Sequence, residues 1–421
     1  MIPHRLPDLH KSTSGVRAWT LIYCSTNFAA VIYILFNQSL MGDVQGASYS
    51  SDFLILISFA FLLVAIASVY LVYTFSIKLP VWRPEYRVEN KLTSSAIGVY
   101  LLTFILYVYI TGAFIAASDV RSGDVFSAIF AILSPDALFL VYFASRRNRS
   151  WLDPVLAIWI ISSLQRGWFS FIFPLVVLKI LEIIRTHQFK INHILIFMAL
   201  LAVYPLFDII KVYVRLTDSI NIIEMYENLI NVSQSLEIDY LNTIFIAIEK
   251  IVGRLQLVSH IPFIYDNKIY FDSLLSSGQI VPFWMEGPYG VALDRMFGVK
   301  HAMEVPQALA GLIDPFLNSS WNVNPSIVGW IIIYSDYIHL VIFYILALSI
   351  SFVWISKFIS NEPIFLDFIY FLLLTLLIPG WIAQLLIFLN ALIFYRLTSI
   401  FYRVIRATLS SVSARQPCIS S

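Results

Sequence analysis

The sequence predicts an all-α polytopic membrane protein with about ten transmembrane helices and one large, largely helical loop on the non-cytoplasmic side. Composition is the first ground. Hydrophobic residues make up 59% of the 421-residue chain, charged residues 13%, and mean hydropathy is +0.80. A soluble core has no use for so much apolar surface, whereas each spanning helix takes ~20 apolar residues. A β-barrel would instead show short alternating segments. The second ground is one long polar stretch, residues 211–324, set between apolar runs. The third is the placement of basic residues in the short loops, which is one-sided.

In order, the apolar runs are residues 18–36, 53–75, 96–116 and 125–144. The loop at 37–52 holds no Lys or Arg. The loop at 76–95 holds Lys78, Arg83, Arg87 and Lys91, and a compact basic turn, Arg146-Arg147-Asn148-Arg149, follows the fourth run. The first run lacks a small-residue cleavage site after it and reads as a retained helix. Residues 151–184 read either as one long helix or as two short ones broken at Gln165-Arg166-Gly167. Two are favoured, because they return Arg185, His187 and Lys190 to the side of the basic turn. Residues 192–210 cross back, the large loop follows, and residues 326–355 re-enter as one span. Residues 366–395 are long enough for two short crossings that turn at Pro379-Gly380. On this reading 18 of the 27 Lys and Arg lie on the cytoplasmic side, with nine outside, seven of them in the large loop. Long loops are largely exempt from the charge rule, so the short loops decide the orientation. The chain then divides into a bundle of about seven spans at residues 1–210, a loop at 211–324, C-terminal helices at 325–400 and a cytoplasmic tail at 401–421.

Within the loop, residues 237–261 carry Ile244, Ile248, Ile251, Leu255 and Val258 at helical spacing, and Pro262 is expected to end that helix. The clustered Gly, Pro and aromatic residues from Ser276 onward read as irregular. The two cysteines are too few and too far apart for a disulfide framework or a metal site. A net charge of +1 gives no reason to expect a nucleic-acid partner. No metal motif, phosphate-binding glycine loop or dinucleotide motif occurs in its required context, so no cofactor is expected.

Arg166 is the most informative residue. A cation near membrane depth is expensive and generally faces a cavity or a partner. It reads as a phosphate site, or as an arginine that snorkels to the interface at a helix turn. Lys211 and Arg215 share one helical face just beyond a span and suit a lipid-linked phosphate, or simply the end of a helix. Arg254 lies between apolar positions of the loop helix, near Lys250 and His260, either dipping toward the bundle or sitting on a solvated edge. Glu249, His260, Asp294, His301 and Glu304 are candidate acids or bases, and Glu249 is favoured for its place on the same element as Arg254. The loop's seven basic and twelve acidic residues sum to −5, so any phosphate site in it must be local.

Four features resemble the O-antigen polymerase, or oligosaccharide repeat-unit polymerase, family (Wzy-type), over about residues 151–380. Ser163-Leu-Gln-Arg166-Gly167 resembles that family's Arg-Gly break. One large loop lies in the second half. Gln279-Ile-Val-Pro282-Phe-Trp284 with Gly287-Pro288 is similar to its Pro-aromatic stretch, and Asn322-Val-Asn-Pro325-Ser-Ile-Val-Gly329 with Tyr334 to the segment opening the next span. The chain departs from the pattern at Phe283, where an arginine often follows the proline, and around Ser335-Asp336, where a glycine is common.

The resemblance implies glycosyl transfer at the periplasmic face of a bacterial inner membrane. The donor would be a glycan on undecaprenyl pyrophosphate, and the acceptor a single lipid-linked repeat unit. Arg166, Arg215 and Arg254 would hold the pyrophosphate, without a metal, and the base would come from Glu249, His260 or His301. Membrane lipids, a chain-length regulator and a flippase are the partners this implies. Two alternatives stay open: an O-antigen ligase-like transferase with the same donor, and a lipid-linked oligosaccharide flippase or transporter, which would show two related halves.

Overall fold

The computed structural model describes residues 14–80, 91–114, 124–146, 149–166, 172–186, 252–253, 255–290, 302–314 and 322–413. Their regular structure is helical, apart from one isolated bridge between Ile280 and Met303. Among the described residues, five helical segments are long and apolar enough to cross a membrane: Gly15–Val44, Asp52–Lys78, Thr93–Thr111, Val125–Ser145 and Ser335–Ile359. Pro154–Gln165, Pro363–Leu377 and Ile382–Thr398 are shorter apolar helices. Large apolar side chains such as Phe36, Phe61, Tyr109 and Phe343 stand exposed on the long helices. Such continuous apolar surface belongs against lipid. The chain is a helical membrane protein.

α1 (Ser14–Asn37) and α2 (Asp52–Lys78) pack as neighbours. Ser51 caps α2 by accepting from Leu54 N, with Asp52 in the first turn and Lys78 in the last, both favourable to the helix dipole. The buried Lys357 ammonium closes the far end of α2 on the carbonyls of Ser76, Ile77 and Leu79. α3 (Lys91–Thr111) follows. The expected fourth span is interrupted at Leu133-Ser134 and forms α4 (Val125–Ile132) and α5 (Pro135–Ser145). Pro135 lacks the N–H that would continue α4, and it suits the first position of α5, which Ser134 caps.

Residues 151–186 form two helices, α6 (Pro154–Gln165) and α7 (Ile172–Thr186), with the interruption after Gln165. The span expected at 192–210 and most of the large loop lie outside the described residues. At 256–259 the chain leaves helical geometry, and α8 (His260–Asp266) begins. Pro262 therefore sits in the first turn of a helix instead of ending one. Orphan N–H groups there make its missing donor harmless. α9 (Lys268–Ser276) and α10 (Val305–Ile313) complete the described part of the loop.

The span expected as one run at 326–355 is also divided. α11 (Ile327–Ile333) is separated from α12 (Ile338–Ile359) by a 3-10 turn at Ser335–Tyr337. α13 (Pro363–Leu372) continues through a π-turn at Leu373–Leu377 to a tight turn at 378–380, and α14 (Ile382–Ser413) returns. The turn falls at Pro379-Gly380, where Gly380 has φ +84°. α13 is apolar all round and every residue from Ile364 to Leu372 is buried, as expected of a central helix. Its one charge, Asp367, is paired with Arg185 at 2.6 Å.

The loop after α1 and the stretch around α8 meet at one end of the bundle. Met41 N donates to Ser259 Oγ (3.0 Å), Gln256 Nε2 to Met41 O (3.1 Å) and Ser50 N to Asp266 Oδ2 (2.9 Å).

Candidate functional site

Four separate chain segments converge where the loop meets α14. Residues 279–281 run beside Met303, with Val281 N donating to Met303 O (3.0 Å) and Met303 N to Gln279 O (2.9 Å). This pairing brings Glu286 and Glu304 into one neighbourhood. Pro282 opens a 3-10 turn, Phe283–Met285, and Gly287 then lies close on α14. Its φ of +98° suits glycine, and a Cβ there would stand 2.9 Å from Ala383 Cα. The third segment is held by Val323 N on Pro306 O (3.1 Å), Ser326 N on Pro379 O (2.9 Å) and Ile327 N on Ile378 O (2.7 Å). The fourth is the 378–384 turn, where Trp381 Nε1 donates to Asn324 Oδ1.

These segments enclose a cleft of about 40 Å³ lined by Glu286, Glu304, Pro306, Asn322, Trp381 and Gln384 among others. Glu286 is 1% exposed. Its Oε2 accepts from Trp330 Nε1 at 2.5 Å, and its Oε1 is buried without a partner. Burial raises its pKa well above the usual carboxylate value, and the neighbouring Glu304 charge raises it further, against the opposing Trp330 bond. Glu304 is half-buried. It caps α10 in a capping box with Gln307 and accepts from Gly287 N at 2.9 Å. Phe283, Trp330 and Tyr334 form an aromatic wall behind Glu286, with Trp330 and Tyr334 centroids 5.0 Å apart. The Tyr334 hydroxyl donates to Val281 O (2.7 Å) and so ties this wall to the Pro-aromatic stretch.

A polar track continues from the cleft toward the bundle. Tyr289 bonds Asn390 of α14, and Asn390 Nδ2 donates to Ile132 O at 3.2 Å. Ile132 ends α4, and four residues later Asp136 stands in the first turn of α5. Asp136 receives both arms of Arg166, Nη1 on Oδ2 (2.8 Å) and Nη2 on Oδ1 (2.7 Å), and the Trp159 indole N–H (2.7 Å). Arg166 is 3% exposed, also donates from Nε to Ser162 O (3.1 Å), and lies 5.0 Å from the Phe104 ring centroid. The pair has a local electrostatic cause. An anion sits at the N-terminus of α5 and a cation at the C-terminus of α6, each complementing its own helix dipole.

Of the residues read from the sequence as candidates, Arg166 is thus buried against Asp136, and Glu304 lines the cleft. His260 is fully buried, both ring nitrogens lack a partner, and it is not among the cleft residues. Burial pushes its pKa down to about 4. Glu249, Arg215, Arg254 and His301 lie outside the described residues, as do Lys211, Lys250 and Asp294. The reading from sequence did not select Glu286. Its available signal was a carboxylate set inside an otherwise apolar Pro-aromatic-Gly stretch. Among the described residues no group of three or more His, Cys, Asp or Glu side chains could hold a metal ion. Comparison with protein-family models, curated proteins and solved structures returns no match.

Proposed function

We propose that this chain is a bacterial inner-membrane glycosyltransferase that polymerises undecaprenyl-pyrophosphate-linked oligosaccharide repeat units on the periplasmic face. One observation carries the reading. The Pro-aromatic stretch at 279–288 and the segment at 322–334, read from sequence as separate likenesses to that family, pack into one cleft with the Pro379-Gly380 turn. Its carboxyl and amide side chains suit hydroxyl groups.

The chemistry asks for little else. Pyrophosphate is a good leaving group, so transfer needs charge stabilisation at the departing oxygens and a base for the acceptor hydroxyl. Arg166, Arg215 and Arg254 are the proposed donors to the pyrophosphate, because the guanidinium fork matches phosphate oxygens. In this structure Asp136 takes both arms of the Arg166 fork, so Arg166 would reach the pyrophosphate only through its remaining N–H groups or after leaving Asp136. A buried imidazole with no partner is shut off from an acceptor sugar, which leaves Glu249 and His301, with Glu304 at the cleft, as proton acceptors.

The test is the lipid-linked glycan profile of a deletion strain, with complementation by the intact gene as the control that restores polymer. Single repeat units accumulating on the periplasmic side are expected. Polymer accumulating without transfer to its final acceptor would select the ligase-like reading. Single units confined to the cytoplasmic leaflet would select a flippase.

A further inference from the structure

A groove runs between α1 and α2 at the end of the pair that carries Ser14 and Lys78. Arg17, Thr20 and Cys24 line it from α1, spaced to share one helical face. Leu63, Ala67 and Tyr70 line it from α2 at matching spacing. The helices run antiparallel, so Arg17 and Tyr70 stand at the outer end and Cys24 and Leu63 at the inner one. The groove has a volume of about 500 Å³ and follows about 10 Å of α1. Sites for small ligands have volumes of this order. It exists because Thr20, Cys24 and Ala67 are small where larger side chains would fill the space between the helices. Leu21 and Val64, next in sequence to Thr20 and Leu63, are exposed, which puts the groove on the lipid-facing side of the bundle.

What the groove offers a ligand is apolar wall with a cation at one end. The Thr20 hydroxyl donates to Val16 O (2.9 Å) and lies 2.6 Å from the Tyr370 hydroxyl of α13. A hydroxyl has one proton, so Tyr370 donates in that pair and Thr20 is satisfied within the protein. Arg17 is exposed, and Tyr70 shares its end of the groove with an amphipathic ring. A guanidinium and a phenol above an apolar channel match the boundary between a lipid's headgroup and its chain.

We propose that this groove is a binding site for one acyl chain of a phospholipid whose anionic headgroup pairs with Arg17. The site is independent of the glycosyl-transfer reading above. Charge selects the headgroup. Arg17 and Lys78 lie at the same end of the helix pair, and a cation near the membrane surface favours anionic lipid about fivefold. Place selects the lipid. Met41, beyond the far end of α1, bonds Ser259 beside α8, and α8 packs on α11, which opens at the cleft. A lipid-pyrophosphate donor reacting at the cleft has its headgroup at that far end. A lipid with its headgroup at Arg17 belongs to the opposite leaflet and is not the donor.

The test uses the full chain in phosphatidylcholine nanodiscs that contain a minor fraction of lipid with a photoreactive diazirine on its acyl chain. With a phosphatidylglycerol probe, cross-links should concentrate on residues 17–24 and 63–70, above those on the exposed surface around Tyr109 of α3. A phosphatidylcholine probe should label the groove about fivefold less. Arg17→Gln should remove that difference and leave labelling by the phosphatidylcholine probe unchanged. Ala67→Phe fills the groove and should abolish its labelling by either probe, while the Tyr109 surface is labelled as before. Should Ala67→Phe not fold, Arg17→Gln still decides. Equal labelling of the groove and the Tyr109 surface would overturn the proposal, leaving only the lipid that any span meets. Equal labelling by the two probes, or none in the groove, would overturn it too. So would stronger displacement of the phosphatidylglycerol probe by undecaprenyl phosphate than by unlabelled phosphatidylglycerol, which would assign the groove to a prenyl chain.

Discussion

Gly287 shows how much one residue can decide. Its positive φ and its approach to the α14 backbone leave no place for a side chain. Gly287→Ala combines left-handed strain with a backbone clash and should destabilise the solubilised protein by about 1–3 kcal/mol, read as a lower thermal midpoint. His260 and Glu286 make stability depend on pH in opposite directions. The folded His260 binds its proton near pH 4, the unfolded one near 6.5. Unfolding therefore takes up a proton between these values, and stability is lost as pH falls through that window, by roughly 3 kcal/mol. Melting curves from pH 7 to 4 should show this slope, and His260→Leu should flatten it. Glu286 keeps its proton when folded and releases it when unfolded. Its contribution is present at low pH and is lost as pH rises above the usual carboxylate range, a slope that Glu286→Gln should abolish.

At the scale of elements, the fourth span and the region after it each divide into two shorter helices, and the start of α5 faces the end of α6 through Asp136 and Arg166. Removing one partner strands a buried charge, whereas removing both does not. Asp136→Asn alone should cost about 3–5 kcal/mol, and the double variant Asp136→Asn with Arg166→Gln should recover much of that loss. Thermal midpoints of the two single variants and the double variant close the cycle. A purely structural pair would let the double variant restore transfer together with stability. If Arg166 also holds pyrophosphate, stability returns while transfer stays ~10²–10³-fold down.

At the scale of the whole molecule, the 18-to-9 division of basic residues predicts that residues 268 and 403 lie in opposite compartments. Reporter fusions at Lys268 and Arg403 should give opposite signals, the first periplasmic and the second cytoplasmic. The same compartment for both would reject the ten-span orientation. The loop after α1 and the α8 region share one end of the bundle, tied by Met41, Ser259 and Asp266, so fusions in the loop at 37–52 should report with Lys268.

The sequence alone determined the class of the molecule, because composition and run length answer to the bilayer and need no partner. Apolar runs of sufficient length must be helices in lipid. The helix end at Gln165-Arg166 and the turn at Pro379-Gly380 were legible too, since an intramembrane cation and a Pro-Gly pair act locally. The division of residues 125–144 and 326–355 was not foreseen. Pro135 marks the first, while the turn at Ser335–Tyr337 has no comparable local mark. Tertiary structure alone decided which polar groups meet. Arg166 finds Asp136, thirty positions away, and Glu286 finds Trp330 and Glu304, because helices without a soluble core satisfy buried charge only through other segments. Glu304 was visible as an acid and invisible as half of a pair. The same carboxylate on a solvated loop would carry no chemistry; burial beside a second one is what makes the cleft a site.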